Sequence, residues 1–366
     1  MIAFGCVCAG TKVWTSTGDC VKIEDLKKEQ GILGWDTYQA VQQKITNVNP
    51  PAKKPCVRIT TNTGRILECS TDHPLLWSTP GKTKRVPGKR QENEYMKQWL
   101  FHNAGLCKVG EQVGIIDSIP FFGTKEMWEP RLIGWLIGDG SYGKDKTPRL
   151  SNCDKEINEY VLNNFNTSDD AKPRYTKDGK LYRETRIKGI CPKLRELGIY
   201  GQTKTAKRLP INIHQYSAES LSELIGGIFD TDGYISIDKT GRPRITLTQN
   251  NKEILEEVSD VLLHFGVHCT ISFIKTKNRV HMYNGKTIKD GEGYWRLSIT
   301  DITSIGRFAS SITCCVEYKQ SMLDAMLLFT KDHIAKYNKY VCGVHAERII
   351  KIEDIGEQPI FNITAD

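Results

Sequence analysis

The sequence has no run of eighteen apolar residues and no signal-peptide pattern. A membrane-spanning helix and an exported product are therefore not expected, and the reading is a soluble intracellular protein, not secreted and with no membrane partner. No two cysteines fall at the C-x-x-C spacing that suits zinc. The twelve cysteines are scattered along 366 residues, a pattern that favours reduced, buried thiols over a disulfide framework. That length exceeds the usual size of a single core and predicts two or more domains. A net charge of +8 favours a polyanionic partner, because lysines and arginines that neutralise phosphates release counterions. Charge alone does not decide the point, since many proteins of this charge bind no nucleic acid.

The most informative pattern is a near-repeat. Leu132 to Gly140 (LIGWLIGDG) returns as Ile225 to Gly233 (IGGIFDTDG), each an apolar, glycine-containing run that ends in Asp-Gly. Glycines at Gly134 and at Gly226 or Gly227 clear one helix face, so two such helices can cross at the short end of the usual range of roughly 8–10 Å. Close crossing would bring Asp139 and Asp232 together. Helix C-termini already expose unpaired carbonyls and carry partial negative charge, so a carboxylate on each makes a strongly anionic spot. Oxygen ligands with open solvent positions suit Mg²⁺, and paired metal sites activate water and hold the leaving oxygen in phosphodiester hydrolysis.

Both stretches resemble the signature of LAGLIDADG homing endonucleases. The resemblance implies that the penultimate acids, Asp139 and Asp232, bind a catalytic divalent metal such as Mg²⁺. The first copy departs from the signature with Ile137 at the earlier acidic position, where the second keeps Asp230. The segment Leu194 to Pro210 ends in KRLP, similar to the family's block with a Lys before an Ile-Pro turn, with Leu209 in place of Ile. Lys207 is thereby a candidate for an electrostatic or water-positioning role, beside the plain alternative of a solvated lysine at a turn. Strand-like segments Arg242 to Gln249 and Trp295 to Thr300 would belong to the curved sheet that such proteins lay in the major groove. Arg149, Arg244, Lys275, Lys277 and Arg279 are the candidate nucleic-acid-binding residues. Glu253 to Gly266 has a helical apolar period and reads as scaffold. With both repeats in one chain, a monomer would serve a long, pseudo-palindromic double-stranded DNA target.

A second resemblance begins at Cys6. Cys6 to Val13 (CVCAGTKV), running on through Gly18 to Leu26, is similar to the opening of an intein, with Gly10 and Thr11 at the family's Gly-Thr pair. Met1 to Gly5 would then be upstream flank, the end of a host protein segment. A thiol that attacks the preceding carbonyl needs an imidazole to protonate the departing nitrogen. Leu67 to Leu76 (LECSTDHPLL) resembles the Thr-x-x-His block, with Ser70 for the Thr and His73 as the imidazole. Arg348 to Asp366 resembles the second-to-last block, with Asn362 where many members carry Asp. The closing His-Asn strand does not follow. The expectation is that splicing is completed only when a short C-terminal piece is supplied in trans, the absence reflecting either a natural split or a removed strand.

The expected architecture is multidomain α+β. An all-β, horseshoe-like splicing domain is drawn from residues 6–118 and 336–366, behind a flank at 1–5. A pseudo-symmetric αββαββα endonuclease of two repeats is drawn at 119–335. The basic stretch Ser78 to Glu94 reads as an exposed loop, with DNA contact as the alternative. Three other readings stay open: a splicing element whose insert is catalytically inactive and serves as a DNA-binding or structural module, an RNA-binding maturase, and a Hedgehog-type autoprocessing domain. The last two leave either the intein-like blocks or the paired helices without a purpose.

Overall fold

The computed structural model describes residues 5–17, 20–35, 40–78, 99–169, 174–175, 181–203, 205–276, 280–283, 286–289, 292–337 and 344–366. The chain separates into two compact units, Met1–Phe121 with Tyr337–Asp366, and Phe122–Lys336. These junctions fall at 121/122 and 336/337, beside the 118/119 and 335/336 expected from the sequence. No described helix is long and apolar enough to cross a membrane.

In the first unit the described regular structure is β-strand with short 3-10 turns. A seven-stranded sheet runs in the order Val7–Cys8, Ile66–Ser70, Ala52–Thr61, Val344–Phe361, Gln112–Ile116, Pro74–Ser78, Leu100–Asn103. The long strand Val344–Phe361 binds the two ends of the chain together. It pairs first with Gln112–Ile116, then with Ala52–Thr61, and last with Val7–Cys8 through Val7↔Phe361 and Cys8↔Ile360. One strand can serve three partners because register shifts at Ile349/Lys351 and Asp354/Gly356 bend it, the second eased by Gly356 at φ 69°. Alternation of side chains sends Val57, Ile59, Cys69, Leu75, Val113, Ile115 and Ile349 into one apolar cluster. A second cluster of Ile23, Leu26, Ile32 and Ile45 packs with Phe361 and Ile363.

The second unit is two copies of one plan. Helix α1 (Pro130–Asp139) leads into strands Gly140–Ser141 and Arg149–Asn152, then α2 (Lys155–Asn164), strands Thr167–Asp169 and Leu181–Ile187, and α3 (Cys191–Glu196). Helix α4 (Ala218–Thr231) leads likewise into Gly233–Ile237 and Pro243–Gln249, then α5 (Lys252–His264), strands Thr270–Lys275 and Gly293–Ile299, and α6 (Ile302–Ser311). A further helix, α7 (Glu317–Tyr337), follows. Strand order within the two sheets is equivalent, first, second, fourth, third in each. Local chemistry starts the helices: Pro130 at the first turn of α1, and Ser217, Asn251 and Asp301 capping α4, α5 and α6 by accepting backbone N–H bonds. One core, with Trp135, Tyr142, Phe229 and Phe308 fully buried, runs through both repeats.

Candidate active sites

The crossing of α1 and α4 is made by glycine. A Cβ on Gly134 would overlap Leu224 O and lie 2.8 Å from the Gly227 Cα, and one on Gly227 would lie 3.1 Å from the Gly134 Cα. Of the two glycines that the sequence offers in the second copy, Gly227 is therefore the one at the crossing, while Gly226 faces the Thr313 carbonyl. Farther along, a Cβ on Gly138 would stand 3.2 Å from Asp232 Oδ2, so the C-terminal ends of the two helices meet with their acids side by side.

Each carboxylate is oriented by one amide from the second strand of its own repeat. Asn152 Nδ2 donates to Asp139 Oδ2 at 2.7 Å, and Gln249 Nε2 donates to Asp232 Oδ2 at 2.6 Å. The two amides are equivalent by register: Gly140 pairs with Leu150, two residues before Asn152, and Gly233 with Leu247, two before Gln249. Burial raises the Asp139 carboxyl above its ordinary value. Asp232 is pushed up to about 6, by burial first and then by the neighbouring charge of Asp139.

Two buried lysines hold the helix ends. Lys207 Nζ donates to the carbonyls of Leu136, Ile137, Gly138 and Gly140 at 2.6–3.1 Å. Lys319 Nζ, from α7, donates to those of Phe229, Asp230 and Gly233 at 2.5–2.9 Å. Both ammonium groups answer the orphan carbonyls and negative dipole end of a helix. Burial lowers Lys319 from its ordinary value, while Asp230 and Asp139 act in the opposite sense. The earlier acid, Asp230, does not join the carboxylate pair. It is fully buried, accepts from Trp135 Nε1 and from the backbone N–H of Cys315 and Val316, and lies 3.6 Å from Arg131. Ile137, its counterpart in α1, is buried as part of the apolar core.

The donor set suits a hard divalent cation: two carboxylates fixed by amides at the carbonyl ends of two helices, each already held above its ordinary pKa by burial.

The strand register sorts the candidate nucleic-acid residues. In the second repeat Ile235, Ile245, Leu247, Leu297 and Ile299 face the core, which leaves Tyr234, Ser236, Arg244, Thr248, Arg296 and Ser298 on the opposite face. Arg244 stands there exposed, opposite Ser236. Lys275 is exposed but shares the side of Phe273, which packs on Trp295 at 5.1 Å, so it lies at the rim of the other face. In the first repeat Arg149 occupies the outer face opposite Arg186 and is ion-paired with Glu184 at 2.6 Å. Lys277 and Arg279 lie outside the described residues, as does nearly all of the Ser78 to Glu94 stretch.

In the first unit, Cys6 is clamped by its own carbonyl. Cys6 O accepts from Ser70 N at 3.2 Å and Ser70 Oγ at 3.4 Å, and lies 2.9 Å from His73 Nδ1. A Cβ on Gly5, which sits at φ 139°, would fall 3.2 Å from His73 Nδ1, so the imidazole lies against the Gly5–Cys6 peptide. Burial pushes His73 down to about 4, opposed by its bond to Cys6 and by Asp72. The ring is thus neutral near pH 7, with Nδ1–H directed at the Cys6 carbonyl. Asn362 follows the Val7↔Phe361 pair, and its carbonyl accepts from Asn49 N at 3.0 Å. The eleven described cysteines are all free thiols.

Comparison with known proteins bears on the second repeat most directly. Residues 219–313 match the LAGLIDADG-like domain family. The stretch runs from the start of α4 through α6 and contains Asp232 and Gln249. Among curated proteins, RecA of Mycobacterium tuberculosis is 24% identical over 256 residues, covering 65% of this chain and 30% of that protein. The DNA helicase Hel308 of Methanocaldococcus jannaschii is 26% identical over 349 residues, covering 88% of this chain and 26% of the helicase. The match therefore spans less than a third of either relative. Among solved structures, the endonuclease I-DmoI in complex with DNA and Ca is 17% identical, with TM-score 0.31 over 50% of this chain and 87% of that one. A Ssp DnaB mini-intein variant is 18% identical, with TM-score 0.23 over 34% and 65%.

Sequence reasoning missed three residues at the carboxylate site: Lys319, Asn152 and Gln249. The signal for Lys319 is the repeat itself, since a lysine at the end of α1 requires a counterpart at the end of α4. The amides carry no motif, and only hairpin register brings them to the carboxylates, from 13 residues away for Asn152 and 17 for Gln249.

Proposed function

We propose that this chain is a protein-splicing element carrying a LAGLIDADG-type, divalent-metal-dependent endonuclease for double-stranded DNA. The observation that carries the nuclease reading is the meeting of Asp139 and Asp232 at the glycine-built crossing of α1 and α4. A divalent cation held by the two carboxylates would supply Lewis-acid stabilisation of a phosphate oxygen and an activated water. The chain's own part is to fix that donor set: Asn152 and Gln249 aim the carboxylates, and Lys207 and Lys319 hold the helix ends that carry them. Outer-face side chains such as Arg244 and Arg296 are suited to base edges and phosphates in a groove.

The splicing reading rests on Cys6, Ser70 and His73. Attack of the Cys6 thiol on the Gly5 carbonyl forms a thioester and breaks the Gly5–Cys6 amide, whose nitrogen takes a proton. The position of the His73 imidazole, 2.9 Å from the Cys6 carbonyl and against the Gly5–Cys6 peptide, supports its assignment as the source of that proton, and Ser70 binds the Cys6 carbonyl. In a horseshoe-like splicing fold from residues 6–118 and 336–366, Cys6 would precede one strand, Ser70 would end another and His73 would stand on the turn that follows it.

Two assays test the proposal. In Mg²⁺, the chain should cut a discrete sequence out of a randomised duplex library, and absence of any enriched cut site would remove the nuclease. Under a strong thiol, intact mass should show loss of Met1 to Gly5, accelerated by a peptide bearing an intein-like His-Asn strand. His73→Ala should slow that loss by on the order of 100-fold, and an unchanged rate would return His73 to a packing role.

A further inference from the structure

Building on the reading of Cys6 as the acyl-shift nucleophile, we infer that Lys54 is a positioning residue of that site, tethered by Asp72 so that its ammonium stands on the Cys6 side of the sheet and stabilises the thiolate. The register supplies the geometry. Side chains alternate along Ala52–Thr61, so Lys54 and Cys56 emerge on the same side. Cys56 is buried with Cys8 and Ile360 in the small cluster on which Cys6 packs. Cys56 pairs with Ser70, and Ser70 N bonds Cys6 O, so Cys6, Ser70 and Cys56 form one row across three strands. The row beside it holds Lys54 and Asp72, with Nζ 2.6 Å from Oδ2. The backbone bond from Thr71 N to Pro55 O, 3.0 Å, keeps the turn that carries Asp72 and His73 against the Lys54 strand.

The electrostatics agree. The Lys54 ammonium is held above its ordinary pKa chiefly by its bond to Asp72, with the charges of Cys6, Asp72 and Cys56 adding to it. Asp72 is held below its ordinary value by the same lysine and by the Ser70 hydroxyl. The described titratable groups around Cys6 are Cys8 on its own strand, Glu68 on Ile66–Ser70, Cys56, Lys54 and Arg58 on Ala52–Thr61, and Asp72 and His73 on the turn. The Val344–Phe361 strand contributes Ile355 and Ile360 to the apolar cluster and sets Glu353 opposite Arg58. Two described cations flank the Cys6 row on this face, Lys54 bound to Asp72 on one side and Arg58 bound to Glu68 on the other; Lys54 is the one on the side of the turn that carries His73. It belongs to no motif that identified Cys6, Ser70 or His73.

The step itself is an isomerisation. Sγ of Cys6 gives up its proton and bonds to the Gly5 carbonyl carbon, the C–N bond to Cys6 breaks, and the nitrogen gains one proton. An added thiol then takes the acyl group, releasing residues 1–5 and restoring the Cys6 thiol. Because the thiolate is the attacking form, the rate follows its population.

The test is the pH–rate profile of thiol-induced release of Met1 to Gly5 from the full chain, followed by intact mass, for the wild-type protein and for Lys54→Met, Lys54→Gln and Lys54→Arg. The expected result is a midpoint moved upward by roughly 0.5–1 pH unit in the Met and Gln variants, with release at pH 7 slower by about 3–10-fold, and restoration by Arg. A uniform slowing with an unmoved midpoint, or no change, would overturn the role of Lys54. No release from the wild-type chain at any pH would instead remove the acyl-shift reading on which the inference rests. Far-UV circular dichroism identifies a misfolded variant, and the Met and Gln changes then answer for one another.

Discussion

The two repeats of the second unit reach one geometry by different chemistry. In the first, the residue two before the carboxylate is Ile137, which joins the apolar core, and the lysine that holds the helix end comes from the segment before Pro210. In the second, the same position is Asp230, which gathers Trp135 Nε1 and the N–H groups at the start of α7, the helix that brings Lys319 to the end of α4. What they share is narrow: a glycine at the crossing, a carboxylate at the helix end, an amide two residues past a hairpin pair, and a lysine on the orphan carbonyls. The difference teaches that pseudo-symmetry is enforced only where the two halves must act on one centre, and that the supporting residues are free to diverge.

Four changes break or sharpen that comparison. The largest effect is expected from Asp139→Asn or Asp232→Asn. Each should reduce metal-dependent cutting by on the order of 100- to 1,000-fold, while melting temperature rises because a buried carboxylate beside another is replaced by a neutral amide that still accepts from Asn152 or Gln249. A matched gel-cleavage and thermal-melt series checks both signs. Next, Ile137→Asp tests whether the first repeat tolerates the second repeat's chemistry. It places an acid in apolar packing, and denaturant unfolding should show a loss of roughly 3 kcal/mol, with little loss counting as evidence for a hidden donor set there.

Lys319→Met and Lys207→Met should each cost about 2 kcal/mol, because buried carbonyls lose charged donors. The Lys319 change should be the larger, since it also loosens the α7 start that Asp230 anchors, and equal losses in a denaturant titration would argue against that link. The smallest effect belongs to Asn152→Ala and Gln249→Ala, about 1 kcal/mol each in stability, with a fall in cutting that depends on aim rather than presence of the carboxylates. If only one of the two lowered cutting, the halves would not contribute equally.

The sequence made the centre of each site readable because its residues sit in contiguous blocks. The two nine-residue stretches carry glycine and acid at matched offsets, and Cys6 and the Ser70 to His73 pair each lie in a short pattern of their own. The choice between Gly226 and Gly227 was not readable, because it depends on which face of α4 meets α1. Lys319, Asn152, Gln249 and Lys54 were missed for a common reason. Each reaches its site through strand register or a distant helix, so the distance along the chain carries no signal. Lys275 illustrates the converse: a basic residue in a strand was easy to find, but a strand has two faces, and the register with Trp295 and Leu297 puts it on the rim of the packed one.

The central claim is that the two repeats build one cation site, and calorimetric titration of Ca²⁺ into the wild-type chain, Asp139→Asn, Asp232→Asn and the double variant tests it most directly. A shared site predicts that either single change lowers affinity about as much as both together, the signature of strongly coupled residues. Two singles that each retain half the binding stoichiometry, or losses that simply add, would mean two separate sites and would contradict it.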